Sequence, residues 1–258
     1  MSVLKRLIEG FVDFRAGYWR ENRPLFDRLA REGQQPKVLI VACVDSRVDP
    51  GILTSTQPGD IFTVRNVGAI VPPYGPDGRY HGTSAALEFG VRALGVEHIV
   101  VLGHALCGGM RALLAEDDAL LAQFEFLKPW TNIVRRAADA VRLGVPELDT
   151  VAMQKAVEQA GVVVSMANVL SFPWVREKVE AGTIALHGWY FDLRNGELSA
   201  FDPDGASFMP VIAASDPERA ITAANARQLD DDRLLGRLVD GFRAGKPGVI
   251  TAGGTLIG

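Results

Sequence analysis

With 258 residues, 48% of them hydrophobic, the chain is long enough to bury a full core and suits one α/β domain with appendages. Its 27 lysines and arginines against 31 aspartates and glutamates leave a net charge of −4 without a basic block, which argues against a nucleic-acid partner. No apolar run approaches the ~20 residues that span a bilayer, and the stretch from Met1 to Gly10 alternates charged with apolar residues instead of forming a signal-peptide core, so no membrane partner and a soluble, cytoplasmic protein are expected.

In chain order, Val3, Leu4, Leu7, Ile8, Phe11, Val12 and Phe14 recur at helical spacing between charged residues, which predicts an amphipathic helix over 3–17. A second short helix opens at Pro24 and stops at Gly33. Phe11, Phe14, Tyr18 and Trp19 on this arm need a surface to lie against, either a neighbouring subunit or the chain's own sheet. The run Val38-Leu39-Ile40-Val41-Ala42 reads as a buried strand. Residues 50–53 read as a short helix, 61–66 as a second strand, and 72–82 as a turn-rich loop. A helix then follows through Leu94, capped by Thr83 or Ser84 and ended by Gly95. A third strand over 98–102 leads into a helix over 110–116. Residues 119–142 are helical by period with a break at Pro129, 149–170 form a long amphipathic helix, and a short helix follows from Pro173 to Gly182. A fourth strand over 183–192 pairs through Asn195-Gly196 with 197–201 as an antiparallel edge. Alternating strands and helices predict a central four-stranded parallel sheet with that fifth strand at its edge, flanked by helices. The organisation expected is an N-terminal helical arm over 1–33, a core over 34–204 and an extension over 205–258 of no assigned role, with a charged helix near 217–244.

The chemistry concentrates at two strand ends. Cys43-Val44-Asp45-Ser46-Arg47 follows the first strand, and Gly103-His104-Ala105-Leu106-Cys107-Gly108-Gly109 follows the third. Parallel sheets place working loops at the carboxyl ends of strands. If those two strands are neighbours, both cysteines of the chain and one histidine converge, a donor set suited to tetrahedral zinc. The fourth position decides the function. With water there, the metal lowers the water's pKa to about 7 and supplies hydroxide at neutral pH; with Asp45 there, the site is closed. A bidentate pairing with Arg47 would turn Asp45 away from the metal. Gly108 and Gly109 either let backbone amides face the site or relieve crowding at a helix start.

Together these two segments, with Arg65-Asn66-Val67-Gly68, residues 82–91 and His187-Gly188-Trp189-Tyr190, resemble the signature of the β-class carbonic anhydrases, over about residues 34–201. The resemblance implies reversible hydration of carbon dioxide to bicarbonate and a proton. It makes Cys43, His104 and Cys107 the ligands of one zinc ion per chain, and Asp45 with Arg47 the catalytic dyad that orients the attacking hydroxide. It also implies an obligate dimer, or a dimer of dimers, built by N-terminal helices. The segment around Gln34 and the run through Phe62 are similar to the plant-type branch, where a glutamine at the position of Gln34 reaches in from the other subunit and an aromatic at that of Phe62 lines an apolar pocket. Phe89 and Gly108 join the substrate-facing set, with Phe89 standing where that branch often has tyrosine and Ala105 where it often has serine. Ile40 and Ala42 stand where the other branch carries a tryptophan and a glycine framing a regulatory bicarbonate site, so an open, water-bearing site is expected. Among the remaining histidines, His81 is the better candidate for proton export and His98 and His187 are structural. The competing functions are hydrolysis of carbonyl sulfide or carbon disulfide on the same scaffold, and a noncatalytic zinc-stabilised oligomer.

Overall fold

Among the described residues, six strands form one sheet in the order β2-β1-β3-β4-β5-β6. The structure is a computed structural model that describes residues 2–115, 123–211, 223, 224, 229 and 231–245. The strands are β1 (Val38–Cys43), β2 (Ile61–Asn66), β3 (His98–His104), β4 (Ala185–Asp192), β5 (Glu197–Asp202) and β6 (Ser207–Pro210). The first four are parallel, and β5 and β6 run antiparallel beyond β4. The parallel part and the antiparallel neighbour of β4 match expectation, and β6 is a further strand. Its four residues end in a proline and are too short to show a period-2 pattern.

The chain leaves β1 to build β2 on one side and returns to build β3 on the other. Consecutive crossovers therefore diverge at β1, which opens a crevice at the carboxyl ends of β1 and β3. Behind that crevice lies α9 (Thr150–Leu170), expected as amphipathic but buried on almost every side. It approaches the sheet where the strands carry glycine: a Cβ on Gly103 would stand 2.5 Å from Val162, and one on Gly188 would stand 2.5 Å from Met166. Its outer side is covered by α8 (Arg135–Gly144) and by α11 (Asp231–Arg243), whose Leu234, Leu238 and Phe242 are buried. The rest of the helix expected near 217–244 lies largely outside the described residues.

The arm folds as α1 (Val3–Ala16), α2 (Tyr18–Glu21) and α3 (Arg23–Glu32), and none of the three buries a residue. Its rings stack on one another, Phe14 on Tyr18 at 5.8 Å and edge-on to Phe26 at 6.2 Å. The arm therefore does not bury its apolar face on the chain's own sheet.

Three local expectations are corrected. Helix α5 (Gly82–Glu88), after α4 (Pro50–Thr54), starts without a side-chain cap, because the Thr83 hydroxyl is engaged by the Asn66 amide at 3.2 Å. Helix α6 (Gly108–Leu114) starts directly after Cys107. Pro129 does not break a helix: it lies in the first turn of α7 (Leu127–Thr131), where a missing N–H costs nothing, and the interruption falls at 132–134. Residues 116–122 of that expected segment lie outside the described residues. Helix α10 (Pro173–Glu180) lies where expected. Among the described residues no helix is long and apolar enough to cross a membrane.

Candidate metal centre

Cys43 closes β1 and His104 closes the adjacent β3, while Cys107 stands immediately before α6. All three are buried, and their ligand atoms lie within 4.8 Å of one another. The His104 Nδ1–H donates to the Ala105 carbonyl at 2.9 Å, which leaves Nε2 with its lone pair, buried and, among the described residues, without a hydrogen-bond partner. A buried polar atom left unsatisfied costs about 1–3 kcal/mol, and a cation among two sulfurs would remove that cost. The donor set fits zinc, with two thiolates and one imidazole fixed in its tautomer by a backbone carbonyl. Because that carbonyl is main chain, Ala105 in place of serine leaves this support intact.

The two thiols shift in opposite directions. Contact with the Cys107 thiol, helped by His104 and by the Asp45 and Gly68 amides, lowers Cys43 to about 4 against the effect of burial. Cys107 moves the other way, pushed up by the neighbouring Cys43 sulfur and then by burial. Burial pulls His104 down, but the Cys43 sulfur, the Ala105 carbonyl and the Asp45 charge together outweigh it and the net shift is upward. Such a cluster exchanges its protons for a divalent cation as pH rises.

The backbone around Cys43 is held from three sides. Arg65 donates from Nε to the Cys43 carbonyl at 2.9 Å, from Nη2 to the Asp45 carbonyl at 2.8 Å and from Nη1 to Asp49 at 2.7 Å, and Asp49 also caps α4. The Gly68 amide points at Cys43 Sγ from 3.4 Å, with Gly68 at φ 81°. Trp130 donates to the Val67 carbonyl at 2.7 Å. Gly109 fits against this turn because a Cβ there would stand 2.9 Å from Val67 and 3.3 Å from the Gly68 backbone, whereas one on Gly108 would meet nothing within 4 Å. Gly109 thus relieves crowding and Gly108 does not.

Asp45 lies outside the ligand cluster. Arg47 grips both of its oxygens, Nε on Oδ1 at 2.9 Å and Nη2 on Oδ2 at 2.7 Å. That guanidinium holds the Asp45 carboxyl well below the usual carboxylate range. Arg47 Nη2 also donates to the Leu106 carbonyl at 3.1 Å, and Leu106 takes a left-handed φ of 57°, a local strain of the kind that gathers at functional sites.

Gln34, Phe62 and Phe89 do not reach the cluster within one chain, whereas Gly108 directly follows Cys107. Gln34 is exposed ahead of β1, at the end of the strand opposite Cys43. Phe62 is paired with Leu39, four residues before the Cys43 level, or about 13 Å along the sheet at the usual strand rise. It packs on Phe89 at 5.9 Å between centroids, on the β2 edge. His81, hydrogen-bonded to Asp77 at 2.6 Å, lines an apolar cavity of about 1120 Å³ together with Asn66, Val67, Phe126 and Trp130. His98 and His187 meet at 3.1 Å, and His98 begins the strand that His104 ends.

Sequence reasoning missed Glu158. Its carboxylate is buried on α9 and accepts from the Cys107 amide at 2.8 Å, from Gln154 at 2.8 Å and from the Tyr190 hydroxyl at 2.7 Å. Burial raises its pKa against the pull of those donors. The available signal was that it is the only acidic residue between 150 and 170.

A carbonic anhydrase family model matches residues 38–198. A carbonic anhydrase of Pseudomonas aeruginosa is 38% identical over 215 residues, 83% of this chain and 94% of that protein. Beta carbonic anhydrase 3 of Arabidopsis thaliana is 34% identical over 79% of each chain. Among solved structures, the β-carbonic anhydrase CcaA superposes with a TM-score of 0.77 at 32% identity, covering 81% of this chain and all of that one. A Coccomyxa β-carbonic anhydrase in complex with acetazolamide gives 0.68 at 25% identity over 78% and 86%. Similarity of this extent, over the segment that carries the buried Cys-His-Cys cluster, establishes that the chain belongs to the β-class carbonic anhydrases, a family of lyases.

Proposed function

We propose that the chain hydrates carbon dioxide reversibly, with one zinc ion held by Cys43, His104 and Cys107 and with Asp45 and Arg47 orienting the nucleophile. The observation that carries this reading is the division of labour among buried donors: three converge with His104 Nε2 unpartnered, while both oxygens of Asp45 are engaged by Arg47. Zinc bound there supplies a Lewis acid that brings the pKa of water to about 7. Asp45, kept ionised by Arg47, accepts the proton of the attacking oxygen in a hydrogen bond and so aims its lone pair at the substrate carbon. Arg47 in turn is fixed by the Leu106 carbonyl. An Asp45 closed on Arg47 favours this over a sealed structural site.

Carbon dioxide is small and nonpolar, and the apolar cavity that reaches Val67 suits its entry. His81 on the cavity wall is the candidate for proton export. Gln34, Phe62 and Phe89 stand too far from the cluster of their own chain and serve the site of a partner. The arm, none of whose residues is fully buried, supplies the contact for a dimer or a dimer of dimers. Solved β-carbonic anhydrases of Sordaria macrospora described as tetrameric, with a TM-score of 0.65 at 26% identity, are in keeping with such assembly. Two unbridged cysteines used as metal ligands suit a reducing cytoplasm.

Zinc content and stopped-flow hydration between roughly pH 6 and 9 test the reading. One zinc per chain with a rate that rises with pH is the expected result. Zinc without hydration at alkaline pH would return the site to a structural role.

A further inference from the structure

We propose that Glu158 is a positioning residue of the metal centre: its carboxylate fixes the Cys107 amide and thereby the direction in which the Cys107 sulfur points. The inference rests on the reading that Cys43, His104 and Cys107 hold zinc.

Glu158 is mounted on α9. Helix α9 is pressed onto β3 and β4 through Gly103 and Gly188, so its position relative to the sheet is set by backbone contact and not by adjustable side chains. Gly161, on the same helix, is in close contact with Met110 of α6, at 3.1 Å from a Cβ placed there. From this rigid support Glu158 reaches the one ligand that is not on a strand. Cys43 and His104 end β1 and β3 and inherit their positions from the sheet. Cys107 follows the strained Leu106 at φ 57° and has no ladder to hold it. Its N–H is bonded instead to Glu158 Oε1 at 2.8 Å.

The other contacts complete the carboxylate as an acceptor. Gln154 Nε2 donates to the same Oε1 at 2.8 Å and the Tyr190 hydroxyl donates to Oε2 at 2.7 Å, so all three of these partners are donors. Tyr190 lies on β4, the neighbour of β3, which ties the carboxylate to the sheet as well as to the helix. A carboxylate is costly to bury, and its place behind a ligand amide gives that cost a purpose. Partners of this kind typically change metal affinity 10–100-fold when removed.

The test uses the full-length protein and three variants: Glu158→Met removes the acceptor while filling its volume, Glu158→Gln keeps an amide oxygen for the Cys107 N–H, and Gln154→Ala removes a second donor to Oε1. Zinc affinity is read by competition with a chromophoric chelator, and ligand geometry by the thiolate-to-metal absorption of the cobalt-substituted protein. Glu158→Met should bind zinc about 10–100-fold more weakly with an altered cobalt spectrum, and Glu158→Gln should recover affinity to within about 3-fold. Equal affinity and spectra for Glu158→Met and wild type would overturn the proposal, as would a Glu158→Gln as weak as Glu158→Met, which would place the effect on charge and not on the acceptor. Should Glu158→Met not fold, Gln154→Ala decides, with an expected loss of about 3-fold and no loss counting against the proposal. A wild-type protein that takes up no zinc would instead defeat the reading of the metal site itself.

Discussion

Arg47 holds both carboxylate oxygens of Asp45, at 2.9 and 2.7 Å, and its own backbone N–H adds a third bond to Oδ1 at 3.0 Å. The fork geometry of a guanidinium is what allows this double grip, and a single ammonium cannot reproduce it. Arg47→Lys should therefore retain zinc and lose hydration rate by about 10–100-fold, as should Asp45→Asn. Metal analysis beside stopped-flow assays checks both, and loss of zinc from Asp45→Asn would make Asp45 a ligand.

Cys107→Ser and Cys43→Ser should each lose bound zinc, because a serine hydroxyl does not ionise in this range, whereas a buried thiol does when a metal displaces its proton to solvent. Atomic absorption on protein purified in zinc-replete buffer reads the result. Full zinc occupancy in either variant would mean that the cluster is misassigned.

The paired glycines that open α6 should respond unequally. Gly109→Ala brings a Cβ within 2.9 Å of Val67 and 3.3 Å of the Gly68 backbone, an overpacking that costs about 1–3 kcal/mol and disturbs the turn behind Cys43. Gly108→Ala meets nothing within 4 Å among the described residues and should leave monomer stability unchanged. Denaturant titration separates the two, and equal stability of both variants would show that the turn is free to yield.

Burial, with the charge of His98 second, lowers His187 to about 4. Below an unfolded pKa of about 6.5 the unfolded chain then binds the proton first, so stability contributed at this position is intact above pH 6.5 and falls as pH drops toward 4, by at most about 3 kcal/mol. Denaturation of wild type and His187→Gln at pH 7.5 and 5 gives the comparison. The stability difference between them should narrow or invert at the lower pH, and a constant difference would exclude His187 as the source.

Leu238 on α11 is fully buried against the core, so Leu238→Ala should cost about 2–5 kcal/mol without changing zinc content. A thermal melt of the holoprotein measures it. A variant as stable as wild type would show that α11 is dispensable to the core.

Much of the fold was legible because the signals were local. Runs such as 38–42 and 98–102 declare buried strands by composition, and Asn195-Gly196 declares its hairpin. The buried Cys-His-Cys cluster was legible because Cys43 and His104 close neighbouring strands and Cys107 follows three residues after His104. What escaped was short or set from a distance. Strand β6 has four residues, and α9 carries a helical period but gives no sign that α8 and α11 bury its outer side. Thr83 looked like a cap and is instead taken by Asn66, a residue 17 positions away.

By itself the sequence determined which donors exist, Cys43, His104 and Cys107, and which carboxylate and guanidinium stand beside them, because residue type and strand-end position are written locally. Only the tertiary structure decided that Asp45 is closed on Arg47, that Glu158 backs the Cys107 amide from a helix 51 residues away, and that Gln34 and Phe62 lie far from the cluster of their own chain. Hydrogen bonds form between groups the fold brings within about 3 Å, and which groups those are is settled by the packing of α9 on the sheet.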